Sequence, residues 1–112
     1  MIKHEFIALK RDQIPYEITF ELTRHHECVV LPDEIILHNM NDFSLGFTSH
    51  WNTQDNKNEG LNYYGITIIN NEELDQFIEA LRKHKRWKSV KELIRFCESA
   101  KANSLDVIHF GI

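Results

Sequence analysis

A helical stripe near position 75 constrains the fold of this chain more than any other segment. Asn70, followed three residues later by Glu73, predicts a helix start. Four apolar residues then recur at i, i+3, i+4 and i+7, namely Leu74, Phe77, Ile78 and Leu81. This spacing predicts an amphipathic α-helix, and such a helix must bury its apolar side against another element.

A second helical stripe follows directly. Ser89 and Glu92 have the spacing of a capping box, which predicts another helix start. Behind it, the same helical spacing recurs in Val90, Leu93, Ile94 and Cys97. Residues 63–69 before the pair and residues 105–112 after it are apolar runs that predict strands. The last run is apolar enough to pair inside a sheet rather than at its edge.

The first half of the chain predicts further strands. Residues 16–22 alternate apolar and polar side chains with a period of two, which is typical of a strand with one buried face. Further strand candidates are residues 5–9, 28–31, 34–38 and 43–48. Residues 50–62 are polar and predict a long exposed loop. The predicted class is α+β: a mainly antiparallel sheet with two helices on one face, in the order β-meander, α, α, β.

Length and composition predict one domain over residues 1–112. A chain of 112 residues with 42% hydrophobic side chains has the size and composition of a single-core domain. The N-terminus lacks the pattern of a secretory signal, and its apolar runs are too short for a membrane helix. Cys28 and Cys97 lie far apart, so we expect reduced thiols and a cytoplasmic protein.

The charge is unevenly distributed along the chain. Residues 1–70 carry ten acidic against five basic side chains, whereas residues 71–112 carry seven against eight. An acidic portion favours a basic partner through long-range attraction, although the same bias also serves solubility. The balance therefore favours a protein partner over a nucleic acid.

Candidate catalytic and metal-binding residues do not form a complete motif. Along a strand, His25 and Glu27 would point to one side, and His26 and Cys28 to the other, so four ligands do not meet. Cys97 could act with His109 only if the fold placed them together, and its position on an apolar stripe favours the core. We therefore expect no catalytic residues, no metal and no cofactor.

A basic segment joins the two predicted helices. Residues 82–88 read Arg, Lys, His, Lys, Arg, Trp, Lys, a composition that can contact RNA through charge and an aromatic ring. Cations are equally favoured where they complement the dipole at a helix C-terminus. A nucleic-acid-binding module thus remains an alternative, as does a small enzyme or metal-binding protein that uses scattered histidines.

The end of the chain carries a family resemblance. Residues 61–69 read LNYYGITII, an acidic helix follows, and the sequence ends in IHFGI. These segments resemble small immunity proteins of bacterial polymorphic toxin systems, including contact-dependent growth inhibition. The resemblance covers less than half of the chain. It implies a cytoplasmic, non-enzymatic protein that binds and blocks the toxic C-terminal domain of a cognate effector, and no functional residue carries over from it.

If this role is correct, we expect the contact surface on the acidic first portion and the polar loop. The carboxylates that would meet a basic toxin, such as a nuclease, are Asp33, Glu34, Asp42, Asp55 and Glu59. Trp51 is a candidate aromatic anchor for the interface. Partial burial of Trp51 where the loop leaves the sheet is the competing interpretation.

Overall fold

The computed structural model describes residues 2–112, which form a six-stranded sheet with helices. The strands are β1 Lys3–Leu9, β2 Val29–Pro32, β3 Thr48–Trp51, β4 Lys57–Glu59, β5 Ile66–Ile69 and β6 Asp106–Phe110. Their order across the sheet is β2-β1-β6-β5-β3-β4, and every neighbouring pair is antiparallel. The predicted α+β class is therefore confirmed. The prediction that the last strand lies inside the sheet is also confirmed, because β6 lies between β1 and β5.

Four α-helices accompany the sheet. They are α1 Asp33–His38, α2 Met40–Ser44, α3 Leu74–Arg82 and α4 Lys88–Ala102. Short 3-10 helices span Arg11–Gln13, Phe20–His25 and Asn71–Glu73. No helix within residues 2–112 is long and apolar enough to cross a bilayer.

The main core lies between the helices and one face of the sheet. Phe6 of β1 stacks on Phe77 of α3 with ring centroids 6.0 Å apart, and Phe47 meets Phe77 at 5.0 Å. The predicted stripes supply much of the remaining core, with Leu74, Ile78, Leu81, Val90, Leu93 and Cys97 all buried. Burial of these stripes is the main reason for the helical structure of both segments.

The opposite face of the sheet is covered by the chain between β1 and β2. Ile7 and Ile108 are completely buried on this face, and they pair directly across β1 and β6. The covering side chains are Ile14, Ile18, Leu22 and Cys28. Both faces of the central strands are therefore buried, as the apolar sequence of β6 requires.

The predicted strand over residues 16–22 is wrong. The segment forms turns and the 3-10 helix Phe20–His25, and Tyr16 and Phe20 are exposed. The partly buried side chains Ile18 and Leu22, and Ile14 just before the segment, are spaced by four residues, not two. The segment crosses the face of the sheet, so its apolar side chains contact strands with which its backbone does not pair.

Two further predicted strands are also corrected. Residues 34–38 belong to helix α1, which begins with Asp33 and Glu34 after Pro32; acidic side chains favour a helix N-terminus. Residues 43–48 divide between the end of α2 and the start of β3. They are separated by Gly46, whose φ of +88° interrupts an extended strand.

Of the two predicted capping boxes, the first is confirmed and the second is wrong. The capping box of Asn70 and Glu73 is present, with the Asn70 N–H donating to Glu73 Oε1 at 3.0 Å. The capping box expected at Ser89 is wrong, because α4 begins at Lys88 and its N-cap is Trp87, two residues before the expected N-cap. The predicted loop over residues 50–62 also contains the short strand β4.

Candidate functional site: a closed histidine chain and an open acidic groove

A line of polar side chains crosses the centre of the main core. His4 Nδ1 lies 2.8 Å from His109 Nε2, and His4 Nε2 lies 2.9 Å from Asp33 Oδ1. His109 Nδ1 lies 3.2 Å from Thr67 Oγ1. The Tyr63 hydroxyl donates to Asp33 Oδ1 at 2.6 Å. We call these five residues the histidine chain.

The hydrogen bonds of the histidine chain and the lowered pKa values of its two imidazoles together indicate where its protons lie. The Asp33 carboxylate accepts, so His4 donates to it from Nε2, and the lowered pKa of His4 favours the neutral ring in which Nδ1 is an acceptor. His109 then donates from Nε2 to His4 and accepts from the Thr67 hydroxyl. The Thr67 oxygen in turn accepts the backbone N–H of Asn62 at 2.7 Å. Both imidazoles are therefore neutral, and both are fully hydrogen-bonded.

Burial and bonding shift several pKa values within the histidine chain. Burial, together with the neighbouring His4, keeps the pKa of His109 well below its usual value. Burial also lowers the pKa of His4, and the Asp33 carboxylate opposes this shift. Burial alone would raise the pKa of Asp33, but hydrogen bonds from Tyr63 and His4 lower it. The bond to Asp33 raises the pKa of Tyr63 to about 12.

The order hydroxyl, imidazole, imidazole, carboxylate has the form of a nucleophile activated by a base. Thr67, His109 and His4 are, however, 0% exposed, so a substrate could reach Thr67 only by displacing the packing around β5. The arrangement instead joins β1, β5, β6 and the start of α1 through polar contacts. In the folded protein these hydrogen bonds hold the four elements together.

The other candidate chemical residues stay apart. Cys97 is buried in the main core, where burial raises the pKa of its thiol. The Cys28 thiol donates to the carbonyls of Thr23 and His26, and His25 is exposed to solvent. Both thiols are free. Within residues 2–112, no three His, Cys, Asp or Glu side chains are grouped as metal ligands.

An open groove lies between α2 and α3 and continues to β4. One part has a volume of about 280 Å³, and its lining is Asn41, Asp42, Leu45, Gly46, Gln76, Glu79, Ala80 and Lys83. The adjoining part, of about 310 Å³, shares Gly46 and Gln76 and is completed by Phe47, Thr48 and Glu59. The groove thus contains three carboxylates and one lysine. We call it the acidic groove.

Hydrogen bonds shape the floor of the acidic groove. Glu59 Oε2 accepts the Gly46 N–H at 3.0 Å, and Gln76 Oε1 accepts the Thr48 N–H at 3.0 Å. Gly60 follows β4 with φ of +71°, and a Cβ there would overlap the backbone of Ser44 at the end of α2. Only glycine permits this close approach of α2 to β4.

One carboxylate of the acidic groove is held by a histidine. Asp42 Oδ2 lies 2.8 Å from Nε2 of the buried His84, and Lys83 Nζ lies 3.5 Å from Oδ1. The hydrogen bond from His84 is the main reason that the pKa of Asp42 is lowered. Asp42 is therefore fixed as an anion at the wall of the groove.

An exposed leucine lies among these carboxylates. Leu45 is 54% exposed and lines the groove. Within residues 2–112, the strand β4 beside the groove pairs with β3 alone, which leaves its outer backbone groups open. An exposed apolar side chain and an open strand edge are both features of protein-binding surfaces.

The structure divides the predicted partner-binding residues among three places. Asp42 and Glu59 line the acidic groove. Asp33 belongs to the histidine chain, and Glu34 is exposed beside it at the start of α1. Trp51 and the exposed Asp55 lie at the far end of the β3–β4 hairpin.

Trp51 is half-buried, and its indole N–H donates to the Gly60 carbonyl at 3.0 Å. This contact matches the interpretation in which Trp51 is partly buried where the loop leaves the sheet. The sequence prediction missed Leu45, Gln76 and Glu79 of the groove. Only the glycine after Leu45 signalled that the strand pattern ended there.

Comparisons with protein-family models, with curated proteins and with solved structures find no match for this chain.

Proposed function

We propose that this chain is a cytoplasmic bacterial immunity protein. It binds the C-terminal toxin domain of a cognate contact-dependent growth inhibition effector and blocks it by occupation, without turnover. The observation that carries the proposal is the acidic groove, which is lined by Asp42, Glu59 and Glu79 and also contains the exposed Leu45. Residues 61–69 and the chain end, which resemble small immunity proteins, support the same role.

The charge of the groove favours a basic partner. Glu59 is exposed and forms no ion pair within residues 2–112. Asp42 is bonded by His84 and Lys83, and the exposed Glu79 pairs with Arg82, so the three carboxylates of the groove outnumber its single lysine but only Glu59 is unpaired. A nuclease must hold phosphates with cationic side chains, and an acidic surface can compete for that site. Electrostatic attraction of this kind also accelerates the encounter between two proteins.

Leu45 and β4 add contacts that do not depend on charge. Leu45 offers an apolar side chain to a pocket on the partner, and the rim of carboxylates would exclude wrong partners. The open edge of β4 can accept a strand from the partner through backbone hydrogen bonds. Together they provide the apolar centre and polar rim of a typical interface.

The first test is a growth assay in which this chain is expressed with the toxin domain encoded immediately upstream of its gene. We expect growth to be rescued and a one-to-one complex to co-purify. Growth arrest in the presence of folded protein, with no complex, would refute the proposal.

The second test locates the interface. The double variant Glu59→Lys, Glu79→Lys should weaken toxin binding on the order of 100-fold, because two attractions become repulsions. The matched control is Glu17→Lys, Glu27→Lys, which makes the same charge change at exposed residues outside the groove. Equal loss of affinity in both variants would show that net charge, not the groove, determines binding.

A further inference from the structure

The exposed surface of α4 carries a second charged region of opposite sign. Five basic side chains are exposed between the end of α3 and the middle of α4, namely Lys85, Arg86, Lys88, Lys91 and Arg95. None of the five forms an ion pair with any of residues 2–112. We call this region the basic face.

The neighbouring cations are already neutralised. Arg82 pairs with Glu79 and Glu98, and Lys83 pairs with Asp42 at 3.5 Å. Arg82 and Lys83, the first two cations of the segment 82–88, are therefore paired with carboxylates. The cations of the basic face have no such partner among residues 2–112.

Helix geometry gathers the five cations. Lys88, Lys91 and Arg95 follow one another at i, i+3 and i+7, so they form a row along one side of α4. Lys85 comes from the α3–α4 turn and lines a groove of about 260 Å³ together with Lys91 and Arg95. Arg82 and the carboxylate Glu98 also line this groove, and they pair with each other. The half-buried Ile94 lines the same groove.

An aromatic ring lies beside this row. Trp87 is the N-cap of α4 and is 39% exposed. The guanidinium carbon of Arg86 lies 5.4 Å from the centre of the Trp87 ring. An exposed indole next to a cationic row is the combination with which proteins bind single-stranded nucleic acids: cations follow the phosphates and the ring stacks on a base.

We propose that the basic face binds single-stranded nucleic acid. The phosphates follow Lys85, Lys88, Lys91 and Arg95, and a base stacks on Trp87. Charge complementarity favours this occupant, because the five cations have no carboxylate partner among residues 2–112 and the ring offers a stacking surface. The inference does not depend on the proposed inhibitory function, since the two functions use different surfaces.

The test uses the full chain and a fluorescein-labelled oligouridylate of twelve nucleotides, followed by fluorescence anisotropy between 50 and 200 mM salt. Each phosphate neutralised on a single strand contributes about 0.7 to the slope of log affinity against log salt. We therefore expect a slope of roughly −3 for contacts to four or five cations. No binding at 50 mM salt would overturn the proposal.

Variants then locate the contact. Lys85→Gln, Lys91→Gln, Arg95→Gln should weaken binding at least tenfold and reduce the slope by about 2. The matched control is Lys3→Gln, Lys10→Gln, Lys57→Gln, which removes three exposed cations outside the basic face. Equal losses in the two triple variants would overturn the proposal.

The aromatic contact is tested with Trp87→Leu, which should weaken binding about fivefold or more with an unchanged salt slope, because stacking is not a charge effect. Unchanged affinity in this variant would overturn the assignment to single-stranded nucleic acid. Tighter binding to phosphatidylglycerol vesicles than to the oligouridylate would overturn it as well. Circular dichroism and thermal melting of every variant confirm that the fold is retained.

Discussion

Two carboxylate–histidine pairs of almost equal length have opposite surroundings. His4 lies 2.9 Å from Asp33, and His84 lies 2.8 Å from Asp42. The His4 pair continues through His109 to Thr67, so both nitrogens of both imidazoles are bonded. The His84 pair ends at the ring, because its buried Nδ1 has no hydrogen-bond partner within residues 2–112.

The difference shows that the surroundings of a pair, not its length, decide its role. The Asp33 side chain is 12% exposed and receives a second bond from Tyr63, whereas Asp42 is 32% exposed and faces the acidic groove. The His4–Asp33 pair, which we call the inner pair, therefore stabilises the fold. The His84–Asp42 pair, which we call the outer pair, holds one anion at the partly exposed wall of the acidic groove.

The largest expected effect on stability comes from replacing His4, and the same replacement of His84 provides the comparison. His4→Leu leaves the His109 N–H without an acceptor in the core, and we expect a loss of about 3 kcal/mol in the free energy of unfolding. His84→Leu exchanges a ring with an unpaired nitrogen for an apolar side chain beside Phe43, at a cost of about 1 kcal/mol. Urea denaturation measures both changes, and equal losses would contradict the comparison.

Acidification should destabilise the folded protein through the two buried imidazoles, His4 and His109. His4 and His109 have lowered pKa values in the fold, so below about pH 6.5 the unfolded chain binds protons that the folded protein does not. Stability is therefore present above pH 6.5 and is lost as the pH falls. Between pH 7.5 and 5.5 we expect a loss of about 2 kcal/mol.

Urea denaturation at the two pH values measures this loss. His109→Gln should reduce the pH dependence, and the exposed His25→Gln is the matched control that should leave it intact. A pH dependence in His109→Gln equal to that of the unchanged chain would place the titrating group elsewhere.

A smaller effect is expected for the hydroxyl that donates to Asp33. Tyr63→Phe removes this bond and should lower the free energy of unfolding by about 1 kcal/mol. It should also remove the tyrosine whose pKa is raised to about 12, as measured by absorbance during alkaline titration. Tyr64→Phe is the control, because Tyr64 is 78% exposed. Retention of the late-titrating tyrosine in Tyr63→Phe would refute the assignment.

The smallest effect is expected for Asp42. Its pKa is lowered, so its contribution to stability is present above the unfolded value of about 3.9 and disappears as the pH falls further. Asp42→Asn should cost about 0.5 kcal/mol at pH 7, because the side chain is partly solvated. Carboxyl chemical shifts during an NMR titration report the pKa, and a normal value would contradict the bond to His84.

The sequence predicted those elements in which local and tertiary preferences agree. The stripes of α3 and α4 and the apolar run of β6 correspond to real elements, because each segment buries the side that its pattern marks as apolar. Residues 16–22 show the opposite case. Ile18 and Leu22 are partly buried because the segment crosses the sheet, and the alternation of the segment does not distinguish this packing from strand pairing.

The candidate sites were predictable only in part. Acidic bias indicated Asp42 and Glu59, but the groove also needs Leu45 and Glu79, which come from separate helices or their ends. The histidine chain joins residues up to 105 positions apart. No local spacing encodes such contacts, because they arise from strand order.

The central position of β6 has a consequence during synthesis. β6 pairs with β1 on one side and with β5 on the other, yet it follows every other described strand in the sequence. Until residues 106–110 have left the ribosome, β1 and β5 have no strand between them. The sheet therefore closes only after translation of this segment, and shielding of the nascent strands by a chaperone would be most useful before that moment.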